Sequence, residues 1–271
     1  MRARPYLAVL RARFALMLQY RTAAWAGVAT QFWFGAIRVM TLVAFYIGAG
    51  KQPMNLPQVV TYIWLGQAFL AMLPWAPDAE IAAAVESGNV GYERLRPVDT
   101  YALWFARALA WRVANTSLRA GPVFILAGLI LPLTAMAEWR WRLPDSPTAA
   151  ALFVLSIVLT ALLSSTLTVL LNIVTVAGRT SRVASFAMGF TNLFSGLVIP
   201  LALFPDWAQG VLLWQPFAGL ADIPYRIYSG ALSGAGAAEG LASQALWIVL
   251  LILIGRTWLN QVMARIDMQG S

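Results

Sequence analysis

The sequence predicts an all-α integral membrane protein. It has six transmembrane helices, an N-terminal interfacial helix, a cytoplasmic helix between spans two and three, and short re-entrant outer helices between spans five and six. Three observations predict this. Of 271 residues, 60% are hydrophobic and 11% charged, against about 25% charged in an average soluble domain. The apolar residues form blocks, several of them near the ~20 residues that a helix needs to cross ~30 Å of hydrocarbon. The basic residues are also asymmetric. With the N-terminus inside, the cytoplasmic segments hold 14 arginines, while the outer segments hold Lys51, Arg140, Arg142 and Arg226, and Arg38 lies within a span. That is the positive-inside pattern. It accounts for the net charge of +8 without nucleic acid.

Residues 2–21 read as a surface helix. Leu7, Leu10, Phe14, Met17 and Leu18 share one face, and arginines flank it, placed to snorkel to headgroups. The other reading makes this stretch the cytosolic end of the first span. No signal peptide is evident, because no uninterrupted apolar core precedes a small-residue cleavage site. The first span, about 23–48, carries Arg38, which costs about 2.5–3.5 kcal/mol at mid-bilayer on insertion scales. Its partner is open between snorkelling, a backbone carbonyl and a charge on another subunit. The second span, about 58–75, ends at Pro74 and Pro77. The polar stretch from Asp78 to Thr100 holds the densest charge in the chain, with a helix over Ala79–Val85 ended by Ser87-Gly88-Asn89.

The third span, about 120–137, follows a helix bearing Arg107, Arg112 and Arg119, which are counted as cytoplasmic. Trp139 and Trp141 suit an interface belt. The fourth span, about 148–177, carries Ser156, Thr160, Ser164, Thr168 and Asn172 at every fourth residue. Such residues let helices approach closely and hydrogen-bond, or they line a substrate path. The basic turn Gly178–Arg182 leads to the fifth span, about 183–204, with Ser185, Gly189, Asn192, Gly196 and Pro200. Pro200 removes an amide and should kink the outer end. Residues 205–239 are too apolar for a free loop. Two short helices dipping into the outer leaflet, with Asp206 as N-cap and a break near Gln215-Pro216, fit the rule that irregular backbone at membrane depth is buried or lines a cavity. The sixth span is about 240–259. The whole chain, 1–271, reads as one domain.

The chain has no histidine and no cysteine. Imidazole bases, thiolate nucleophiles and the usual zinc and haem ligands are therefore excluded. There is no Walker phosphate loop and no paired-carboxylate site. No cofactor, metal or catalytic residue is assigned.

Two segments resemble a known family. Ile81–Gly88 followed by Leu95-Arg96-Pro97-Val98 is similar to the coupling region of the permease subunits of bacterial type-2 ABC transporters, in their six-span subgroup. Ser195-Gly196, Ile199-Pro200, Phe204-Pro205, Trp207, Pro216-Phe217, Pro224 and Ile227–Gly230 resemble that family's segment before the last span. The resemblance covers nearly the whole length; one departure is Arg94, where the family often has an apolar residue.

The resemblance implies a permease subunit of an ATP-driven exporter in the bacterial inner membrane, with both termini cytoplasmic. A second permease chain, identical or related, would complete the pathway, and cytosolic ATPase subunits would bind ATP. It implies that Glu80, Glu86, Gly88, Arg94, Leu95, Arg96 and Pro97 form the coupling site. Arg38, Ser164, Thr168, Asn172, Asn192 and Pro200 are candidates for the pathway or an interface. Phe204, Pro205, Trp207, Pro216, Phe217, Pro224, Tyr228 and Gly230 belong to the outer re-entrant segment. The competing readings are an ATP-independent secondary transporter, which more usually carries carboxylates or histidine within its spans, a lipid-acting membrane enzyme, and a membrane assembly partner.

Overall fold

The computed structural model describes residues 4–19, 21–47, 50, 52–95, 97–178 and 183–267, without the side chains of 17, 18, 21–24, 94, 95, 183–185, 266 and 267. Among these residues every regular element is helical. The α-helices in chain order are α1 (Arg4–Gln19), α2 (Arg21–Tyr46), α3 (Leu56–Ala68), α4 (Ala79–Glu86), α5 (Thr100–Ile125), α6 (Pro147–Gly178), α7 (Val183–Phe194), α8 (Asp206–Trp214), α9 (Asp222–Tyr228) and α10 (Gly234–Asp267).

Their starts follow from local chemistry. Asn55 and Gln58 form a reciprocal capping box at α3, with Pro57 in its first turn. Asp78 caps α4 by accepting from Glu80 N, and Asp99 caps α5 by accepting from Ala102 N. α5 continues beyond Pro122 into a π turn over Leu126–Ile130 and a 3-10 turn over Leu131–Leu133.

Four stretches among the described residues are long and apolar enough to cross a membrane: Trp25–Tyr46, Thr100–Leu133, Pro147–Gly178 and Gly234–Arg265. The second and fifth predicted spans differ in form. α3 has 13 residues, about 20 Å at 1.5 Å per residue. It then breaks at Phe69 into a 3-10 turn over Leu70–Met72. α7 has 12 residues and gives way to irregular backbone at Ser195–Pro200, where Gly196 takes φ +80°. The helix of the third predicted span is continuous with the helical segment before it, running unbroken from Thr100.

α6 is the centre of the bundle, packed by α5, α9 and α10. α3 lies behind it, and every residue from Val59 to Ala68 is buried. Phe32 of α2 stacks on Trp64 of α3 at 5.4 Å. The main core joins α2, α3, the end of α5 and α9. A second core sits at the opposite end, where Ile81 of α4 meets Trp104 of α5, Ile173 of α6 and Leu259 of α10.

One expectation needs correction. Asp206 is the first residue of α8 rather than its cap, and its side chain makes no capping bond; Pro205 holds the cap position. Trp141 stacks on Phe124 at 4.5 Å and on Tyr228 at 5.9 Å. α1, read as a surface helix, keeps many of its residues exposed, Leu7 and Leu16 among them. It packs along α5, with Tyr6, Leu7 and Leu10 bordering a crevice against Tyr101, Phe105 and Leu109. The predicted basic turn at Arg179–Arg182 falls outside the described residues.

Gly219 shows how close the packing is. A Cβ there would stand 2.9 Å from Leu163 Cδ2 and 3.0 Å from Gln244 Cγ. Gly219→Ala is expected to cost about 1–3 kcal/mol by overpacking, read as a lowered unfolding midpoint in detergent.

Candidate functional site

The charged stretch between α3 and α5 is anchored to the bundle from three sides. Asp78 N donates to Asn172 Oδ1 of α6 at 2.8 Å. Ile81 is buried in the second core. Glu80 pairs with Arg13 of α1 and, at 3.5 Å, with Arg107 of α5. Arg107 also pairs with Glu93 at 3.4 Å, and Trp104 Nε1 donates to the same Glu93 oxygen at 3.1 Å. Arg107 thus joins the start of α4 to the 3-10 stretch Asn89–Leu95 that follows it. A link at the next boundary runs from Asp99 to Arg256 of α10 at 3.4 Å.

The tip of this segment is free of the bundle. Glu86, Ser87, Gly88, Asn89 and Pro97 are exposed, and Tyr92 is 67% exposed. Gly88 ends α4 with φ +75°. Of the predicted coupling residues, Glu80 is exposed but tied by ion pairs to Arg13 and Arg107, whereas Glu86, Gly88 and Pro97 stand exposed at the tip. Arg96, and the side chains of Arg94 and Leu95, lie outside the described residues. Tyr92 was not singled out from the sequence, although an aromatic among charged residues was a visible signal.

The polar stripe of α6 hydrogen-bonds to a different neighbour at almost every step. Ser156 Oγ donates to Gln244 Oε1 of α10 at 2.8 Å. Thr160 Oγ1 donates to Gly219 O at 2.9 Å, and Gln244 Nε2 donates to Gly219 O at 2.7 Å. Ser164 and Thr168 both accept from Arg112 of α5, and Asn172 holds Asp78. Arg112 was counted as cytoplasmic. The structure buries its side chain between α5 and α6, where two hydroxyls and the Ala108 carbonyl supply its acceptors. Arg107 is buried as well.

A third polar assembly surrounds the break after α7. Five backbone groups freed by the lost helix all find partners. Phe194 O accepts from Gln215 Nε2 at 2.8 Å, and Ser195 O from Asp222 N at 3.0 Å. Gly196 O accepts from Tyr62 OH at 2.8 Å, and Leu197 O from Arg38 Nη1 at 3.3 Å. Leu201 N donates to Asp222 Oδ1 at 2.7 Å. Of the partners left open for Arg38, the structure selects a backbone carbonyl.

Asp222 is fully buried and pairs with Arg226 at 3.0 Å. The sequence reading overlooked Asp222, yet an Asp–Arg pair four residues apart in an apolar stretch was a usable signal.

The other predicted positions lie nearby. Pro200 is buried and Asn192 half-buried. Phe204 and Pro205 lead into α8, where Trp207 is exposed. Pro216 and Phe217 open a 3-10 stretch over Pro216–Leu220. Pro224 and Tyr228 are buried in α9, and Gly230 turns the chain toward α10 with φ +74°.

The family model described as ABC-2 family transporter protein matches residues 52–270. The chain belongs to the ABC-2 transporter family. No curated protein matches it. The match takes in all three polar assemblies of this ABC-2 permease except the residues that α1 and α2 contribute, Arg13 and Arg38. As an ABC-2 permease it is a multi-pass membrane protein and the transport component of an ABC transporter. Permeases of this family associate with ABC ATPases.

Proposed function

We propose that the exposed tip between α4 and α5 docks a cytosolic ABC ATPase. ATP binding and hydrolysis in that partner would then drive export through a pathway shared with a second permease chain. In this reading the chain has six spans. α3 with its 3-10 turn forms the second, and α7 with the 195–204 segment forms the fifth. The α4 end and both termini face the cytoplasm of a bacterial inner membrane, and α8 and α9 dip into the outer leaflet. The chain itself carries no ATP site and no catalytic role.

One observation supports the reading above the others. The tip is exposed, while its roots are tied by ion pairs and hydrogen bonds to α1, α5, α6 and α10. A push on Glu86–Asn89 and Tyr92 would therefore reach four helices through short, charged links rather than dissipate in a loop. ATP binding shifts the permease only through different affinity for its two states, and such links make the docking site part of each state.

The test is co-purification and transport with the cognate ATPase. Tyr92→Ala combined with Glu86→Arg should weaken association roughly 30-fold, about 2 kcal/mol for loss of an aromatic anchor. Transport should fall with it, while the permease stays folded and inserted. Unchanged ATPase association and transport in the double variant would refute the docking assignment.

A further inference from the structure

A cavity of about 440 Å³ opens beside the start of α4. Trp75 and Ala76 of the α3–α4 connection, Trp111 of α5 and Thr168 of α6 form much of its wall. Arg112 reaches it from α5 and is 3% exposed. Its Nε donates to Ser164 Oγ at 2.6 Å, its Nη1 to Ala108 O at 2.9 Å, and its Nη2 to Thr168 Oγ1. A guanidinium has five N–H donors, so two remain.

No carboxylate pairs with Arg112 among the described residues. The two carboxylates in the wall are committed elsewhere. Asp78 caps α4, and Glu80 pairs with Arg13 and Arg107. Burying an unpaired cation is costly, and neutral hydroxyls offset that cost only in part. The rest of the wall holds Arg13 and Arg107, both paired with Glu80, beside apolar residues that include two tryptophans, and the mouth is bordered by exposed Ala76, Ala79, Glu80 and Trp111.

We infer that this cavity binds an acidic amphiphile, one phosphate or carboxylate head on an apolar chain. The head takes the two remaining N–H groups of Arg112, and the chain lies along Trp75 and Trp111 toward the mouth. Arg fits such a head because its planar donors match a carboxylate or phosphate. The inference rests on the membrane setting of the chain and is independent of the proposed ATPase docking.

The experiment uses the full chain in phosphatidylcholine nanodiscs containing a trace of diazirine-labelled phosphatidic acid, with photolabelled peptides mapped by mass spectrometry. Label is expected on residues 73–80 and 107–112. Unlabelled phosphatidic acid should displace it, whereas added phosphatidylcholine or inorganic phosphate should not. Arg112→Gln should reduce labelling about tenfold, as loss of a charge-assisted hydrogen bond requires. Ala76→Trp narrows the mouth, leaves Arg112 in place and should reduce labelling equally, which keeps the test decisive if Arg112→Gln misfolds. Equal labelling by diazirine phosphatidylcholine, or full labelling of folded Ala76→Trp, overturns the site. Competition by inorganic phosphate as strong as by phosphatidic acid overturns the amphiphile in favour of a bare anion.

Discussion

Asp222→Ala is expected to destabilise the folded chain by about 3 kcal/mol, the lower end of the range for breaking a buried ion pair. The carboxylate accepts from Leu201 N at 2.7 Å, from Arg226 at 3.0 Å and, more weakly, from Tyr62 OH at 3.4 Å. Removing it leaves a buried amide without an acceptor and a cation without its partner. Arg226 is partly accessible and can rehydrate, which sets the lower end. Asp222→Asn keeps an acceptor for Leu201 N and should lose less. Asp206→Ala, on an exposed residue, should stay within about 0.5 kcal/mol. Thermal unfolding in detergent reads all three. An Asp222→Ala midpoint equal to that of the native chain would contradict the role given to the α7 break.

Arg107→Met is the second large effect, also about 3 kcal/mol. Most of this comes from the Arg107–Glu93 pair, which is largely buried. The arm to Glu80 is half-exposed, and such pairs contribute about 1 kcal/mol or less. Trp104 still donates to Glu93, so the segment should loosen rather than unfold. Faster amide exchange is expected over residues 79–95, with little change in α6 or α10. Transport should fall more than ATPase association, because the tip remains but its tie to α5 is gone. Equal losses of both, or unchanged exchange, would count against Arg107 as the connecting cation.

Much of the fold is written in one-dimensional patterns. Residues 147–178 carry no charged side chain, and α6 occupies that run. Asp78 and Gly88 mark the two ends of α4. The polar stripe on α6 was visible from its spacing, but its partners were not. Gln244, Gly219 and Arg112 lie far away in sequence, and nothing in local periodicity says which face of α5 or α10 turns toward α6. Arg112 was placed outside the membrane because charge usually belongs there. Its burial against α6 follows only from the pairing of its donors with Ser164 and Thr168. The same limit applies to the break after α7. Pro200 announced a kink rather than the loss of helix from Ser195, and the groups that satisfy the freed backbone come from α2, α3 and α9.

The total burial of α3 also has a bearing on how the chain is made. Tyr62 emerges from the ribosome 134 residues before the carbonyl that it will bind, and 160 residues before Asp222. A nascent polypeptide that ends short of α9 covers this helix from α2 and α5 but leaves its α9 face open. Its neighbours must hold a place open until synthesis is nearly complete, so the order of assembly is set by the last third of the gene.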